Sequence, residues 1–312
     1  MAFGLLCAGN AVAADRPPAT DPCPQRIAAA VCLVEPVKNV FARRNVFARR
    51  CVPGGQRYAQ KLIRVFDTYP TLLQKTMCGL DRIFIEKSFW ASGYAHPRAK
   101  AIGIHHRFFK SNFSLSKWAT WKERLSFATD SLPKRISRGL EIALPRVTAN
   151  APGEETPALY YIVAHELAHR LDQVHGYSDV KNGDFARQIW RVRGSQIEHA
   201  ALPNDWIKPC FYLCRHGKID LAHVETIYER LQKSPFVSLY ATRHPAEDFA
   251  ETLTHYVMWL RPDFRYTLKI GNVPVWDLEA LWTAGRLREK KIYMDRLFGT
   301  PSAPRREGRG EG

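Results

Sequence analysis

The chain has 312 residues, of which 46% are hydrophobic and 24% charged, enough for one substantial core with at most a small appendage. No apolar run approaches the about 18 residues that a membrane-spanning helix needs, which argues against an integral helical membrane protein. The net charge of +16 suits an anionic partner, although a solvated basic surface is the commoner cause, and no nucleic-acid-binding signature accompanies it.

The N-terminus, MAFGLLCAGNAVAAD, is apolar and ends in small residues that satisfy the rule for signal cleavage, at Ala11-Val12-Ala13 or one residue on. It lacks a basic leading region, so residues 1–14 are expected to be a shortened signal peptide and the chain to be secreted or periplasmic. Cysteine usage agrees. Of seven cysteines, Cys7 falls in this segment and leaves an even set: Cys23, Cys32, Cys51, Cys78, Cys210 and Cys214. That set is compatible with three disulfides in an oxidising compartment, with the pairing open. Cys210 and Cys214 form a C-x3-C pair that also suits a metal, but no second Cys or His pair stands at zinc-finger spacing.

Residues 15–55 form a cysteine-containing basic segment. It begins as a Pro- and Asp-rich loop and contains NVFARR twice in tandem, at 39–44 and 45–50. Two copies are too few for a solenoid and read as a local duplication. From residue 56 the chain reads as mixed α and β. YAQKLIRVFDTYPTLLQKTM has helical periodicity interrupted at Pro70, and LDRIFIEK alternates as a half-buried strand. YAHPRA supplies turn residues before a second strand in KAIGIHHRFF. Asn112-Phe113-Ser114 fits a glycosylation sequon, relevant only on a eukaryotic secretory route. SLSKWATWKERLSFA reads as an amphipathic helix capped by Ser114 or Ser116. GLEIALPRV is a third strand, at an edge because of Pro145. From Thr156 onward helix dominates, and residues 301–312 read as a disordered tail.

The stretch IVAHELAHRLDQVHG carries the chemistry. Thr156 and Pro157 predict a helix start and Gly176 its stop. His165 and His169 are four residues apart, hence on one face, where two imidazoles can reach one ion at about 2.0–2.1 Å. Glu166 beside them can take a proton from a water that the ion polarises. This is the H-E-x-x-H pattern of zinc peptidases, so zinc is the expected cofactor.

The third ligand has two candidates. His175 lies ten residues after His165, about 280° around an unbroken helix and away from the ion. A break at Asp172 would bring it back, but Asp enters the left-handed conformation less readily than Gly. The rival is SLYATRHPAEDFAETLTHYVMWLRP. Pro245 suits a first helical position, Glu247 and Asp248 an acidic first turn, and Pro262 limits the far end. Glu247 and Glu251 share a face, so one can bind the ion while the other holds the N–H of a ligand histidine. His255 and His244 are weaker candidates.

HELAHRLD followed by a tyrosine and EDFAE resembles the catalytic domain of anthrax toxin lethal factor and its bacterial relatives. The resemblance covers Ile162 to Gly176 and Ser238 to Leu260. It rests on Asp172 three residues after His169, on Tyr240 seven before Glu247, and on Ala250-Glu251 after the aromatic. The stretch between His169 and Glu247 is longer than in that family, and nothing N-terminal resembles the toxin's delivery domains. The resemblance implies an α+β, zincin-like metallopeptidase domain over residues 56–300, with a small mixed sheet, an active-site helix and a mostly helical C-terminal half. It implies His165, His169 and Glu247 as zinc ligands, Glu166 as general base and Tyr240 as donor to the developing oxyanion. Glu251 would stand behind the ligands against a histidine, and Asp172 would orient His169 or a neighbouring helix. The function implied is zinc-dependent endopeptidase action on a protein or peptide laid along the edge strand of residues 139–147 or 100–109. An exported basic binding protein with a structural zinc, and a zinc amidase acting on cell-wall peptides, are the alternatives.

Overall fold

A computed structural model of the chain describes residues 22–34, 51–87, 91–128, 144–150, 156–194, 196–199, 209, 211, 218–283 and 285–299. The expected signal peptide, the tandem NVFARR copies, Cys210, Cys214, residues 139–143 and the C-terminal tail lie outside the described residues.

Helix α1 (Cys23–Ala30) runs directly into strand β1 (Val31–Val34), and β2 (Cys51–Val52) pairs with it antiparallel. Two helices follow, α2 (Gln56–Asp67) and α3 (Thr71–Cys78), separated where Pro70 takes the cap position of the second. The proline ends one helix and starts the next because it has no N–H to give to the first and a φ preset for the other. Strands β3 (Arg82–Glu86), β4 (Gly93–Ala95) and β5 (Ala101–His105) complete a five-stranded sheet of order β2-β1-β3-β5-β4. Its three central strands are parallel and its two edges antiparallel. Alternation divides its faces. Ile83, Ile85, Ile102 and Ile104 enter the main core with Leu33, whereas Phe84, Cys32, Val34 and Ala101 form a small cluster on the other side.

The expectation of an edge strand at residues 100–109 is overturned. β5 lies between β3 and β4, and its strand ends at His105, after which the chain turns into a short 3-10 segment. One edge of this sheet is β4, whose Tyr94 and Ala95 fall in what the sequence presents as a turn. The strand expected over 139–147 is met at its described end: β6 (Pro145–Asn150) takes up Pro145–Val147 and is one outer member of a three-stranded antiparallel sheet of order β10-β9-β6.

Helix α4 (Leu115–Arg124) settles its own cap. Ser114 Oγ accepts the Lys117 N–H at 3.2 Å, while Ser116 Oγ both donates to and accepts from the backbone of Ala149 at 2.8 Å, fastening the helix to β6. Beyond it stand α5 (Pro157–His175), α6 (Val224–Gln232), α7 (Pro245–Trp259), α8 (Leu278–Thr283) and α9 (Arg288–Phe298). Two hairpins interrupt this helical half: β7 (Trp190–Arg193) with β8 (Gln196–His199), and β9 (Arg265–Ile270) with β10 (Val273–Asp277). The second turns through Gly271 and Asn272, with Gly271 at φ 60°, which glycine adopts without strain. Helices with three small sheets fit the α+β class.

Two disulfides tie the N-terminal elements down. Cys23–Cys78 joins α1 to the end of α3, and Cys32–Cys51 joins β1 to β2, with Cα atoms 5.4 and 5.0 Å apart. Two of the three expected bridges are therefore present among the described residues. Also among them, no helix is long and apolar enough to cross a membrane.

Candidate metal centre

α5 is buried on nearly every side from Ala158 to Asp172, because it lies against β4, β5, α3 and α7 at once. Its start is the expected one, with Thr156 at the cap position and Pro157 at the first turn, although the Thr156 side chain makes no bond into the helix. Gly176, left-handed at φ 71°, ends it and donates its N–H to the Asp172 carbonyl. α7 begins at Pro245, where His244 accepts the Ala246 N–H at 3.2 Å. The two helices pack side by side, with His165, His169, Glu247 and Glu251 at their contact.

At their contact three donor atoms converge. His165 Nε2 and His169 Nε2 are 3.2 Å apart, and Glu247 Oε2 lies 3.3 Å from the first and 3.2 Å from the second. Tetrahedral bonds of about 2.0–2.1 Å need donors about 3.3–3.4 Å from one another. The triangle matches that span. Buried Glu247 Oε2 makes no hydrogen bond, so its lone pairs face the centre rather than a donor. Two imidazoles and one carboxylate are a donor set that suits zinc and leaves a fourth position for water or substrate. Among the described residues this is the one group of three or more His, Cys, Asp or Glu side chains so disposed.

The acidic side chains of EDFAE have separate surroundings. Glu247 faces the imidazoles. Asp248, one residue on, points the other way and takes the Lys290 ammonium and the Trp190 indole N–H, the latter at 3.1 Å. Glu251, fully buried, accepts from Lys122 Nζ at 2.6 Å, Tyr161 Oη at 2.8 Å and Ser238 Oγ at 2.7 Å. Its Oε1 also stands 3.1 Å from His165 Nδ1. Burial by itself would raise the Glu251 carboxyl, but the Lys122 and His165 charges hold it well below the usual carboxylate range. A carboxylate on Nδ1 directs Nε2 of the same ring at an ion.

Glu166 is buried beside the imidazoles, and burial pushes its carboxyl up to about 7 although both histidines oppose the rise. Its side chain abuts the backbone of Gly93 on β4: a Cβ there would sit 2.5 Å from Glu166 Oε1. Tyr240 opens a 3-10 turn (Tyr240–Arg243) and donates its hydroxyl to Glu247 Oε1 at 3.0 Å. Phe211 packs edge-on against its ring at 4.7 Å between centroids.

The remaining candidates lie elsewhere. Asp172 accepts the Ser178 N–H at 2.6 Å and its hydroxyl at 2.5 Å, closing the turn after α5. His175 is exposed, at the end of an unbroken helix, with its ring stacked on Tyr177. His255 is buried one turn beyond Glu251, with Nδ1 2.9 Å from the Glu251 carbonyl, and His244 serves as a cap. Sequence reasoning missed Lys122, Tyr161 and Ser238 around Glu251, Gly93 against Glu166, and Arg243 beside Tyr240. Lys122 alone left a trace: it occupies the apolar stripe Leu115, Trp118, Ala119, Lys122 at helical spacing.

Neither the search of curated proteins nor that of solved structures found a match to the chain. Residues 222–275, which hold Tyr240, Glu247 and Glu251 but not the histidine helix, match the model of a family described as "putative zinc-binding metallo-peptidase".

Proposed function

We propose that the chain is a zinc-dependent endopeptidase with a zincin-like domain of the gluzincin type, in which His165, His169 and Glu247 hold the ion. The observation that carries this reading is the convergence of two α5 imidazoles and one α7 carboxylate at 3.2–3.3 Å spacing. The family match over residues 222–275 supports a zinc metallopeptidase independently.

A zinc ion in such a site supplies a Lewis acid that makes water nucleophilic near neutral pH and polarises the substrate carbonyl. Glu166, buried beside the two imidazoles, takes the water's proton and passes it to the leaving amine. Tyr240 turns its hydroxyl from Glu247 to the carbonyl oxygen as negative charge builds there. Glu251, fixed by Lys122, Tyr161 and Ser238, keeps His165 in the tautomer whose Nε2 is a ligand. An extended peptide lies along β4, whose outer edge runs past Glu166, and pairs with it through main-chain hydrogen bonds. The disulfides are consistent with an exported enzyme.

The test is zinc content measured alongside cleavage of casein and of a mixed peptide library, with and without chelator. Zinc bound near one per chain and chelator-sensitive cleavage are expected. Glu166→Ala should keep the zinc and lose cleavage by about 10²–10⁴-fold. Full activity in that variant would rule the mechanism out.

A further inference from the structure

Arg243 stands beside Tyr240, in the same 3-10 turn and three residues on. Its Nη1 donates to Tyr240 Oη at 3.3 Å, and its guanidinium carbon lies 5.8 Å from the ring centroid. A phenol oxygen has one hydrogen to give and lone pairs to accept with, whereas a guanidinium has donors only. The Tyr240 hydrogen therefore cannot point at Arg243. It is directed to the other side, where Glu247 Oε1 accepts it at 3.0 Å on the edge of the donor triangle.

We infer that Arg243 is a positioning residue that sets the hydroxyl rotor of Tyr240. By filling a lone pair of the phenol oxygen it aims the O–H into the cleft before substrate arrives, and it polarises that bond through the chain of donors Arg243 to Tyr240 to acceptor. When a carbonyl oxygen gathers charge nearby, the O–H swings from Glu247 to that oxygen while Arg243 keeps the phenol lone pair filled. A donor already aimed where charge develops is the kind that accelerates a reaction rather than merely binding substrate. Arg243 acts only through Tyr240. The inference rests on the peptidase reading, and it adds to that reading a residue that the motif does not contain.

The experiment is a double-mutant cycle on the full-length zinc-loaded protein, with Arg243→Gln, Tyr240→Phe and the pair. Glutamine can both donate and accept, so it frees the rotor. Four quantities are read: kcat and KM on a casein-derived peptide, the calorimetric Kd of a phosphonamidate peptide that mimics the tetrahedral state, and zinc per chain. Arg243→Gln is expected to lower kcat and phosphonamidate affinity about tenfold or more, with KM and zinc content unchanged. In the Tyr240→Phe background the same substitution is expected to change nothing further. An unchanged kcat in Arg243→Gln, or an equal loss with and without the Tyr240 hydroxyl, overturns the inference. If the wild-type chain binds the phosphonamidate but cleaves no peptide, the peptidase reading fails alone, and the cycle in binding affinity still decides the role of Arg243. If it neither cleaves nor binds, both fall.

Discussion

Three acids within five residues have three different surroundings, and their neighbours decide which does what. Glu247 has its Oε2 turned to two imidazoles, Asp248 is neutralised by Lys290, and Glu251 is enclosed by three donors and a ring nitrogen. Removing a proposed ligand should therefore differ sharply from removing a residue that only resembles one. Glu247→Ala is expected to strip zinc from the chain, while His175→Ala, altering an exposed ring stacked on Tyr177, should leave zinc stoichiometry unchanged. Metal analysis after dialysis checks both, and the reverse pattern would move the site onto α5 alone. The spacing of His165 and His169 on one helical face was legible in the sequence, because helix geometry is local. The choice of Glu247 over His175 was legible mainly through the family resemblance, because from the residues alone it depends on whether α5 breaks at Asp172. Asp172 stays helical and spends its side chain on Ser178, so the helix continues to Gly176.

Strand β4 and helix α5 meet closely at Gly93. At Gly93 a methyl group would stand 2.5 Å from Glu166 Oε1 and 3.0 Å from its Cγ and Cδ. Those atoms are the far end of a side chain that can swing aside, so Gly93→Ala should cost less than about 1 kcal/mol of stability. It should nonetheless displace the carboxylate proposed to take the proton, and a misplacement of this size is expected to lower kcat by about 10²-fold with zinc retained. Retained kcat would show that Glu166 is free to work from another rotamer. Nothing in GYA announced a strand: it is short, it runs into the turn-like YAHPRA, and its pairing partner Ile102–Ile104 is what makes it one. The β9–β10 hairpin was more accessible, since Tyr266, Leu268 and Ile270 alternate before Gly271-Asn272. The helical pattern flanking it on both sides obscured that signal.

The fold as a whole depends on cross-links and on buried charge. The Cys23–Cys78 bridge closes a separation of 55 residues and Cys32–Cys51 one of 19. In the chain-entropy account each stabilises by about 3–4 kcal/mol. Replacing Cys32 and Cys51 by serine should lower the free energy of unfolding by about 3 kcal/mol, read from denaturant midpoints. Stability should also depend on pH through Glu123, a buried acid of α4 that accepts the Tyr228 hydroxyl at 2.6 Å. Burial pushes it from 4.5 up to about 7. The folded chain therefore binds this proton more tightly than the unfolded one. Stability from this source is fully present below pH 4.5 and is lost as pH rises through about 7, by roughly 3 kcal/mol. Glu123→Gln should remove that slope in thermal unfolding measured from pH 4 to 8; an unchanged slope would assign it to another group.

By itself the sequence determined where α5 and α7 begin, which of their residues share a face, and that two imidazoles and a carboxylate were on hand. Caps, prolines and 3.6-residue periodicity act over a single turn and need no partner. Only the tertiary structure decided that Glu247 rather than Asp248 or Glu251 meets the imidazoles, that β4 is the edge beside Glu166, and that Lys122 lies buried under Glu251. Each of these depends on segments distant in the chain being pressed together, and in that contact the cost of burying charge dictates which groups must pair.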